Sequence, residues 1–316
     1  MPIPLDTGYV NYSAEGANND SKFIPQLWSG KLVTKFYDRT IFGSIASTDY
    51  EGEISGYGDK VFIRTTADIV IKDYRIGQTL DYETPESPNI ELNIDQAKYF
   101  AYKCDDIHRH QADINLLDNW AGDASEQMKI AIDKDILAYV PTEVHAHNSG
   151  NSAGRISGNV EMGAMDGSGA SAVQLTKDNI VEKIIDMGLL LDEQSVPESG
   201  RWLVLPAWAC ALIKKSELKD ASLTGDRVSI ARNGRVGMID RFHLYMSNNV
   251  SSGADGSVTV FDLIAGHKAG LTFASQMTNM ESLKNPNSFG QLVRGLNVYG
   301  RKVLNGKYLV HMVARK

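Results

Sequence analysis

The sequence predicts a mixed α+β fold, and three stretches carry that prediction. Residues 51 to about 100 indicate a long β-hairpin, because "GDKVFIRTTADIVIKDY" is rich in β-branched residues and "NIELNID" alternates apolar and polar residues. Residues from about 112 to 140 follow the helical period of about 3.6 residues. After residue 200, one short helix is preceded by a strand-like run and followed by several more.

The hairpin is interrupted between its two strands. The connecting segment "RIGQTLDYETPESP" contains Pro85 and Pro88, which cannot donate a hydrogen bond within a ladder. A two-stranded ribbon is only marginally stable in water by itself. We therefore expect the hairpin to pack against a partner, with Ile90, Leu92 and Ile94 all facing one way.

The helical stretch is the longest that the sequence predicts. Its apolar side chains recur at steps of three and four residues: Trp120, Ala124, Met128, Ala131, Ile132, Ile136 and Tyr139. Pro141 ends the helix. A helix of roughly 25 residues spans about 40 Å, which is well above the mean helix length of globular proteins.

The N-terminal region, up to about residue 50, is apolar but fits no long amphipathic helix. Its sequence "FIPQLWSGKLVTKFYDRTIFGSIAS" permits a short helix from Pro25 and otherwise indicates extended chain. The region is too apolar for a disordered tail. Such an arm has to be buried against the rest of the chain or against a neighbour.

The C-terminal half predicts a compact unit of helices and strands. A second helix follows a cap at Thr176 or Asp178, "RWLVLP" indicates a buried strand, and Pro206 suits the first turn of a short helix. The dipeptides Asn233-Gly234 and Asn305-Gly306 predict turns. We expect the second of these turns to join two strands as a hairpin.

Charge and composition narrow the possible partners. The formal net charge is −7 and the pI is about 5.5, so the chain has no general attraction for nucleic acid or an anionic membrane. Cys104 and Cys210 lie far apart in sequence and predict buried thiols, not a disulfide framework. We find no signal peptide and no apolar run of the ~20 residues that a membrane helix needs. The composition is typical of a cytosolic protein.

One stretch, "EVHAHNSGNSAGRISG", contains two motifs that occur in enzymes. It includes the pattern G-x-S-x-G around Ser152, and its histidines His145 and His147 have the spacing of paired metal ligands. No predicted strand precedes the serine and no predicted helix follows it, so we expect a loop and not a nucleophile elbow. A cytosolic hydrolase that uses Ser152 or His145/His147 stays open as an alternative function.

The other candidate groups are weaker. His108 and His110 have no further ligands at a suitable spacing, and the chain has no glycine-rich phosphate-binding motif. Arg232, Arg235 and Arg241 surround a turn, where solvated arginines are the expected arrangement. We therefore expect no catalytic residue, no cofactor and no metal.

The order of the elements resembles that of the major capsid proteins of tailed double-stranded DNA phages, which have the Hong Kong 97-like fold. "FIPQLWSGKLVTKFYDRTIFGSI" is similar to the N-terminal arm, "DYEGEISGYGDKVFIRTTADIVIKDY" through "NIELNIDQAKYFAYKCDDIHRHQ" to the extended loop, and "DNWAGDASEQMKIAIDKDILAYV" to the spine helix. "RWLVLPAWACALIKK", "NGRVGMIDRFHLYMSNNV" and "AGHKAGLTFASQ" resemble the axial domain, and "FGQLVRGLNVYGRKVL" resembles the last strands. The resemblance covers nearly the whole chain.

The resemblance implies a division of the chain into five parts. They are an N-terminal arm (1–50), an extended β-hairpin loop (51–100), a peripheral domain with the spine helix (101–172), an axial domain (173–285) and return strands of the peripheral domain (286–316). It implies a structural protein without enzymatic activity. Copies of it would form the pentamers and hexamers of an icosahedral shell around a phage genome, in a virion assembled in the host cytoplasm.

The resemblance also implies the partners. They are further copies of the chain, a portal, a decoration protein and packaged double-stranded DNA contacted without sequence specificity; no membrane partner is implied. The chain begins almost at the arm, which implies either a separate scaffolding protein or a chain that has already been trimmed, and Met1 favours the first. The residues expected to contact neighbouring subunits lie in the arm and the loop: Phe23, Trp28, Phe36, Tyr57, Phe62, Ile69, Ile71, Tyr74, Ile90, Leu92 and Ile94. An encapsulin-type nanocompartment with protein cargo is the alternative within the same fold.

Overall fold

The structure is a computed structural model, and it describes residues 35, 37–50, 60–67, 69–80, 82–84, 89–105, 116–216, 237–286 and 288–316. Its α-helices are α1 (Phe42–Ile45), α2 (Leu116–Tyr139), α3 (Ile180–Glu193) and α4 (Ala207–Lys215). Its strands are β1 (Lys60–Arg64), β2 (Asn89–Asn93), β3 (Gln96–Asp105), β4 (Val173–Gln174), β5 (Arg201–Leu205), β6 (Met238–Ile239), β7 (Phe242–Met246), β8 (Ser252–Asp255), β9 (Val258–His267), β10 (Leu271–Lys284), β11 (Gly290–Val303) and β12 (Leu309–Arg315).

The larger sheet has seven strands in the order β4-β12-β9-β5-β7-β6, with β8 paired to β9. Its central strand β5 is buried along its whole length, which explains the unbroken apolar run "WLVL". Helices α3 and α4 pack on the sheet through residues such as Met187, Ile213 and Leu263, which are fully buried in one apolar core. This buried strand and both helices were predicted from the sequence.

The smaller sheet contains three long antiparallel strands in the order β10-β11-β3. The long helix α2 lies against it, and Tyr299 of β11 donates a hydrogen bond to Asp135 of α2 at 2.8 Å. A second apolar core joins α2 to both sheets, with Ile136 of α2, Trp202 of β5 and Tyr299 buried together. The helix ends at Tyr139, just before Pro141, as the sequence predicted. In the described ranges, no helix is both long and apolar enough to cross a membrane.

The sheets do not follow the division expected at residue 285. Strand β10 was expected in the axial domain, but it pairs with β11 along its whole length and so belongs to the smaller sheet. Strand β12 was expected among the return strands of the peripheral domain, but it pairs with β9 in the larger sheet. The β10–β11 ladder holds β10 in the smaller sheet, and the β9–β12 ladder holds β12 in the larger sheet.

The prediction of a hairpin at Asn305-Gly306 is wrong, because the strands on either side of this dipeptide, β11 and β12, lie in different sheets. A 3-10 helix, Gly306–Tyr308, follows instead, and Asn305 Oδ1 accepts the N–H of Lys307 at 3.0 Å. The asparagine therefore begins a helical turn in place of a strand reversal. The other predicted turn, at Asn233-Gly234, lies outside the described residues.

Gly306 is required by a close approach of two backbones. A Cβ atom at this position would lie 2.5 Å from the carbonyl oxygen of Glu143. We expect Gly306→Ala to lower the free energy of unfolding by about 1–3 kcal/mol, as overpacking does. Gly122→Ala is the matched control: Gly122 lies inside α2 with no atom near its missing Cβ, so alanine should stabilise by about 0.5–1 kcal/mol. Denaturant unfolding of the two variants measures both changes, and equal signs would contradict the argument.

Candidate inter-subunit surface

The hairpin built on β1 and β2 is attached to the body of the protein at its base. The two strands pair antiparallel over five residue pairs, from Lys60 with Asn93 to Arg64 with Asn89. Leu92 of the hairpin packs in a small apolar cluster with its neighbours Ile63, Ile94 and Ala274, the last of which belongs to β10. The hairpin base therefore shares a core with the smaller sheet.

The described contacts between the two sides of the hairpin follow a symmetric pattern. Three joined residue pairs are equidistant from the Ile76–Gly77 peptide bond: Arg64 with Asn89, Val70 with Glu83, and Arg75 with Gln78. In the middle pair the N–H of Val70 donates to Glu83 Oε1 at 2.9 Å. The described contacts on the two sides of the loop therefore share one centre, while the described backbone ladder is confined to β1 and β2.

The turn at the tip explains why the ladder does not extend to it. Gly77 has a φ of 85°, while Ile76 does not have a positive φ, and the N–H of Gln78 donates to the carbonyl of Arg75 at 3.0 Å. These features define a type II turn, which needs glycine at its third position. Type II turns splay the two strands of a hairpin, whereas the mirror-image turns match strand twist. The two sides of the loop are consequently held by side chains near the tip.

The loop presents a large apolar surface to solvent. Seven apolar residues between β1 and β2 are more than half exposed: Ile69, Val70, Ile71, Tyr74, Ile76, Leu80 and Tyr82. Ile76 at the tip is 99% exposed and Ile71 is 90% exposed. Soluble monomers rarely expose contiguous apolar surface of this kind, and such patches mark interaction sites.

The expected contact residues divide into three groups. Phe62, Ile69, Ile71 and Tyr74 are exposed on the hairpin. Ile90 is half-buried, and Leu92 and Ile94 are buried in the subunit's own core cluster, so these last two do not offer their side chains to a neighbour. The remaining four lie outside the described residues: Phe23, Trp28, Phe36 and Tyr57.

The described end of the arm is tied to helix α2 by two carboxylates. Asp123 accepts hydrogen bonds from Lys35 Nζ at 2.5 Å and from the hydroxyl of Tyr37 at 2.9 Å. Both hydrogen bonds lower the pKa of the Asp123 carboxyl. Ten residues further along the helix, the buried Asp133 contacts the start of α1. The arm therefore runs parallel to α2 and is fixed at two points.

The Asp133 carboxylate connects three segments of the chain. Its Oδ1 accepts the backbone N–H groups of Ile41 and Phe42 at 3.0 and 2.9 Å, and its Oδ2 accepts Asn249 Nδ2 at 2.8 Å. Burial raises the pKa of the Asp133 carboxyl, and the three donors oppose that rise. The group satisfies the first N–H groups of α1, which no other side chain caps.

The G-x-S-x-G segment is a structural loop. Ser152 is exposed on a turn between Gly150 and Gly154, both of which have positive φ. A 3-10 helix, Ala146–Asn148, precedes the turn in place of a strand. Buried Asn148 fixes the loop to the start of β12 by donating to the carbonyls of Lys307 and Leu309 at 2.9 and 2.8 Å. The serine therefore lacks the strand–turn–helix setting that a nucleophile elbow needs.

The histidine pair in this loop has a local role. His145 Nδ1 accepts the backbone N–H of His147 at 3.2 Å, and the two rings are 5.0 Å apart. Burial, followed by the charges of His147 and Lys307, lowers the pKa of His145. Among the described residues, no three histidine, cysteine or carboxylate side chains are placed to hold a metal. His108 and His110 lie outside the described residues.

Sequence reasoning missed a second exposed apolar region, at the far end of the smaller sheet. There Phe289 is 86% exposed beyond the end of β10, and Tyr99, Met280 and Leu283 are exposed on the strands. The signal in the sequence is weak, since "KYFAYK" has no clear alternation of apolar and polar residues. Both exposed regions belong to parts of the chain that project from the two cores.

Comparison with solved structures identifies phage capsids with this fold. A structure from Mycobacterium phage Che8 has a TM-score of 0.76 at 24% identity, and the match covers 92% of this chain and 97% of that chain. The capsid structure of the cyanophage P-SCSP1u has a TM-score of 0.69 at 15% identity and 99% coverage of both chains. The capsid of Ralstonia phage GP4 has a TM-score of 0.62 at 14% identity, covering 96% and 98%. No protein-family model and no curated protein sequence matches.

These likenesses establish the fold. The α+β architecture predicted from the sequence is similar to that of these phage structures over nearly their whole length. The predicted Hong Kong 97-like fold is confirmed at this level.

Proposed function

We propose that the protein is a major capsid protein, whose copies assemble into the pentamers and hexamers of an icosahedral shell around a phage genome. One observation carries this proposal: the hairpin projects seven exposed apolar side chains that its own described chain leaves uncovered, on a fold shared with phage capsids. The protein then acts in the virion, as a structural component without enzymatic activity.

The energetics favour assembly through many copies. Burying one exposed isoleucine, leucine or valine side chain contributes about 1.5–3 kcal/mol. A single docked hairpin therefore gives a contact of moderate strength. In a closed shell each subunit makes several such contacts at once, and the linked contacts multiply in effect. The contact residues that we propose on the hairpin are Phe62, Ile69, Ile71 and Tyr74, with half-buried Ile90 beside them.

The charge of the chain supports weak contacts with the genome. With a net charge of −7, a subunit has no general attraction for the phosphate backbone. The packaged double-stranded DNA is therefore contacted without sequence specificity, through local basic side chains. A separate scaffolding protein, a portal and a decoration protein complete the proposed set of partners.

Negative-stain electron microscopy tests the proposal. The protein is purified alone and after co-expression with the genes that lie beside its own. We expect closed shells, tubes or capsomers, and shells filled with DNA when the packaging genes are present. A strictly monomeric protein under both conditions would overturn the proposal. Shells that enclose a protein cargo in place of DNA would favour the encapsulin-type alternative, and a hydrolytic activity lost in Ser152→Ala would favour the enzyme.

A further inference from the structure

Strand β10 forms an open edge of the smaller sheet. It pairs with β11 on one side over its full length, and it is the terminal strand in the sheet order. Within the described ranges, only its first residues have a neighbour on the other side. There the N–H of Ser47 donates to the carbonyl of Leu271 at 2.8 Å, and the N–H of Phe273 donates to the carbonyl of Ser47 at 3.0 Å. The chain's own arm therefore uses the beginning of this edge.

The rest of that edge is unpaired as far as the structure describes the chain. From Met277 to Lys284, no strand of the described ranges lies beside β10. The side chains of residues 279–284 are exposed or half-exposed on both faces of the sheet. A long edge with unpaired backbone groups is a template for an added strand, and proteins seldom leave one without a cover, a charge or a partner.

The hairpin carries a segment suited to this edge. Residues 69–74, "IVIKDY", begin with three β-branched residues, which favour strands. The N–H of Val70 is held by Glu83 on the return side of the loop. Because backbone groups of successive residues in a strand alternate sides, Ile69, Ile71 and Asp73 direct theirs to the opposite edge of the segment. That edge has no paired strand within the described residues.

We propose that residues 69–74 of a second copy of this chain pair antiparallel with residues 279–284 of β10 and extend the smaller sheet by one strand. This inference rests on the proposed assembly and names one of its contacts. The register places Lys72 opposite Glu281 and Val70 opposite Leu283, which joins unlike charges and apolar side chains. Glu281 already accepts hydrogen bonds from Arg294 and Asn279 within its own sheet, and its side chain is still 39% exposed.

The opposite strand direction is disfavoured by charge. A parallel strand in the register that keeps Lys72 beside Glu281 places Arg75 beside Lys284, two like charges in neighbouring positions. Antiparallel pairing is also slightly more stable per residue than parallel pairing. The two directions bring different residues next to Leu283, namely Val70 in the antiparallel case and Tyr74 in the parallel case. That difference makes the register measurable.

Engineered disulfides distinguish the arrangements. Residues that face each other across antiparallel strands have Cα atoms about 4.5–5.5 Å apart, within the range that a disulfide spans. The full chain is prepared as Val70→Cys/Leu283→Cys and as Tyr74→Cys/Leu283→Cys, with each single variant as a control. The native Cys104 and Cys210 are buried and do not compete. After mild oxidation of assembled shells, covalent oligomers are counted on a non-reducing gel.

We expect a ladder of covalent oligomers from the first double variant, and none from the second or from the single variants. Shells that form without that ladder, or with a ladder only from the Tyr74 variant, would overturn the inference and leave the proposed function intact. Failure of the unsubstituted chain to form shells would instead count against the proposed function. If the cysteine variants do not assemble, hydrogen exchange on shells of the unsubstituted chain tests the inference instead. The amides of residues 277–284 should exchange at least about tenfold more slowly in shells than in free subunits. Unchanged exchange rates would also overturn the inference.

Discussion

Asp133→Ala should lower the free energy of unfolding by about 3–5 kcal/mol, the loss expected when a buried charged acceptor is removed from its partners. The Asp133 side chain is fully buried and accepts three hydrogen bonds. Without it, the N–H groups of Ile41 and Phe42 and the amide of Asn249 have no acceptor in the core. Each buried donor left without a partner costs about 1–3 kcal/mol. Urea unfolding followed by circular dichroism measures the loss.

Asp133→Asn is the matched control, and its cost should stay below about 1 kcal/mol. Both backbone N–H groups bond to Oδ1, an atom that asparagine keeps. The new amide nitrogen replaces Oδ2 and faces Asn249, whose own Oδ1 is buried without a hydrogen-bond partner. A turn of the Asn249 amide would convert that contact into a new hydrogen bond. A large loss in the asparagine variant would show that the negative charge itself stabilises the fold.

A second control compares the contributions of the two contacts that attach the arm to α2. Asp123 also binds the arm, through Lys35 and Tyr37, but this contact is exposed to solvent. We expect Asp123→Ala to leave the unfolding free energy almost unchanged, because exposed ion pairs contribute little. If Asp123→Ala and Asp133→Ala destabilised the protein equally, burial would not be the cause of the larger effect.

The elements with a strong periodic pattern were predictable from the sequence. The run "WLVL" of β5 has no polar residue because both faces of that central strand are covered. Helix α2 was predicted to within about four residues at its start and one at its end, because Pro141 marks the boundary. These signals are local, and the local pattern agreed with the tertiary environment.

The errors came from signals that describe the backbone only locally. Asn305-Gly306 favours a tight turn, but no local pattern states which sheet the following strand joins. Leu92 and Ile94 were expected at a subunit contact because the strand alternates; alternation shows that one face is apolar, without showing what covers it. In this structure Ala274 of β10 covers that face. The contact across the loop could not be predicted from the sequence either, because it is a hydrogen bond from the backbone N–H of Val70 to the side chain of Glu83.

Replacing residues 65–88 by the dipeptide Asn-Gly should abolish shell formation while the subunit stays folded. The replacement joins Arg64 to Asn89, which already pair at the end of the ladder, through a turn that matches strand twist. The removed segment contributes no residue to the described cores, so the unfolding free energy should change little. Circular dichroism and size-exclusion chromatography test for a folded, soluble subunit, and electron microscopy tests for shells.

The expected loss is large because the hairpin contact is repeated at every subunit. Linked contacts raise an overall affinity by about 10²–10⁴-fold, so removing one contact from each subunit should raise the concentration needed for assembly by at least about 100-fold. Ile76→Ser is the graded control: it removes one exposed apolar side chain at the tip, 99% of which is accessible in the free subunit, and keeps the type II turn because Gly77 is unchanged. It should weaken assembly less than the replacement does. Shells of normal size from the replacement variant would mean that the hairpin is dispensable, and the contacts between subunits would then have to come from the arm and the far end of the smaller sheet.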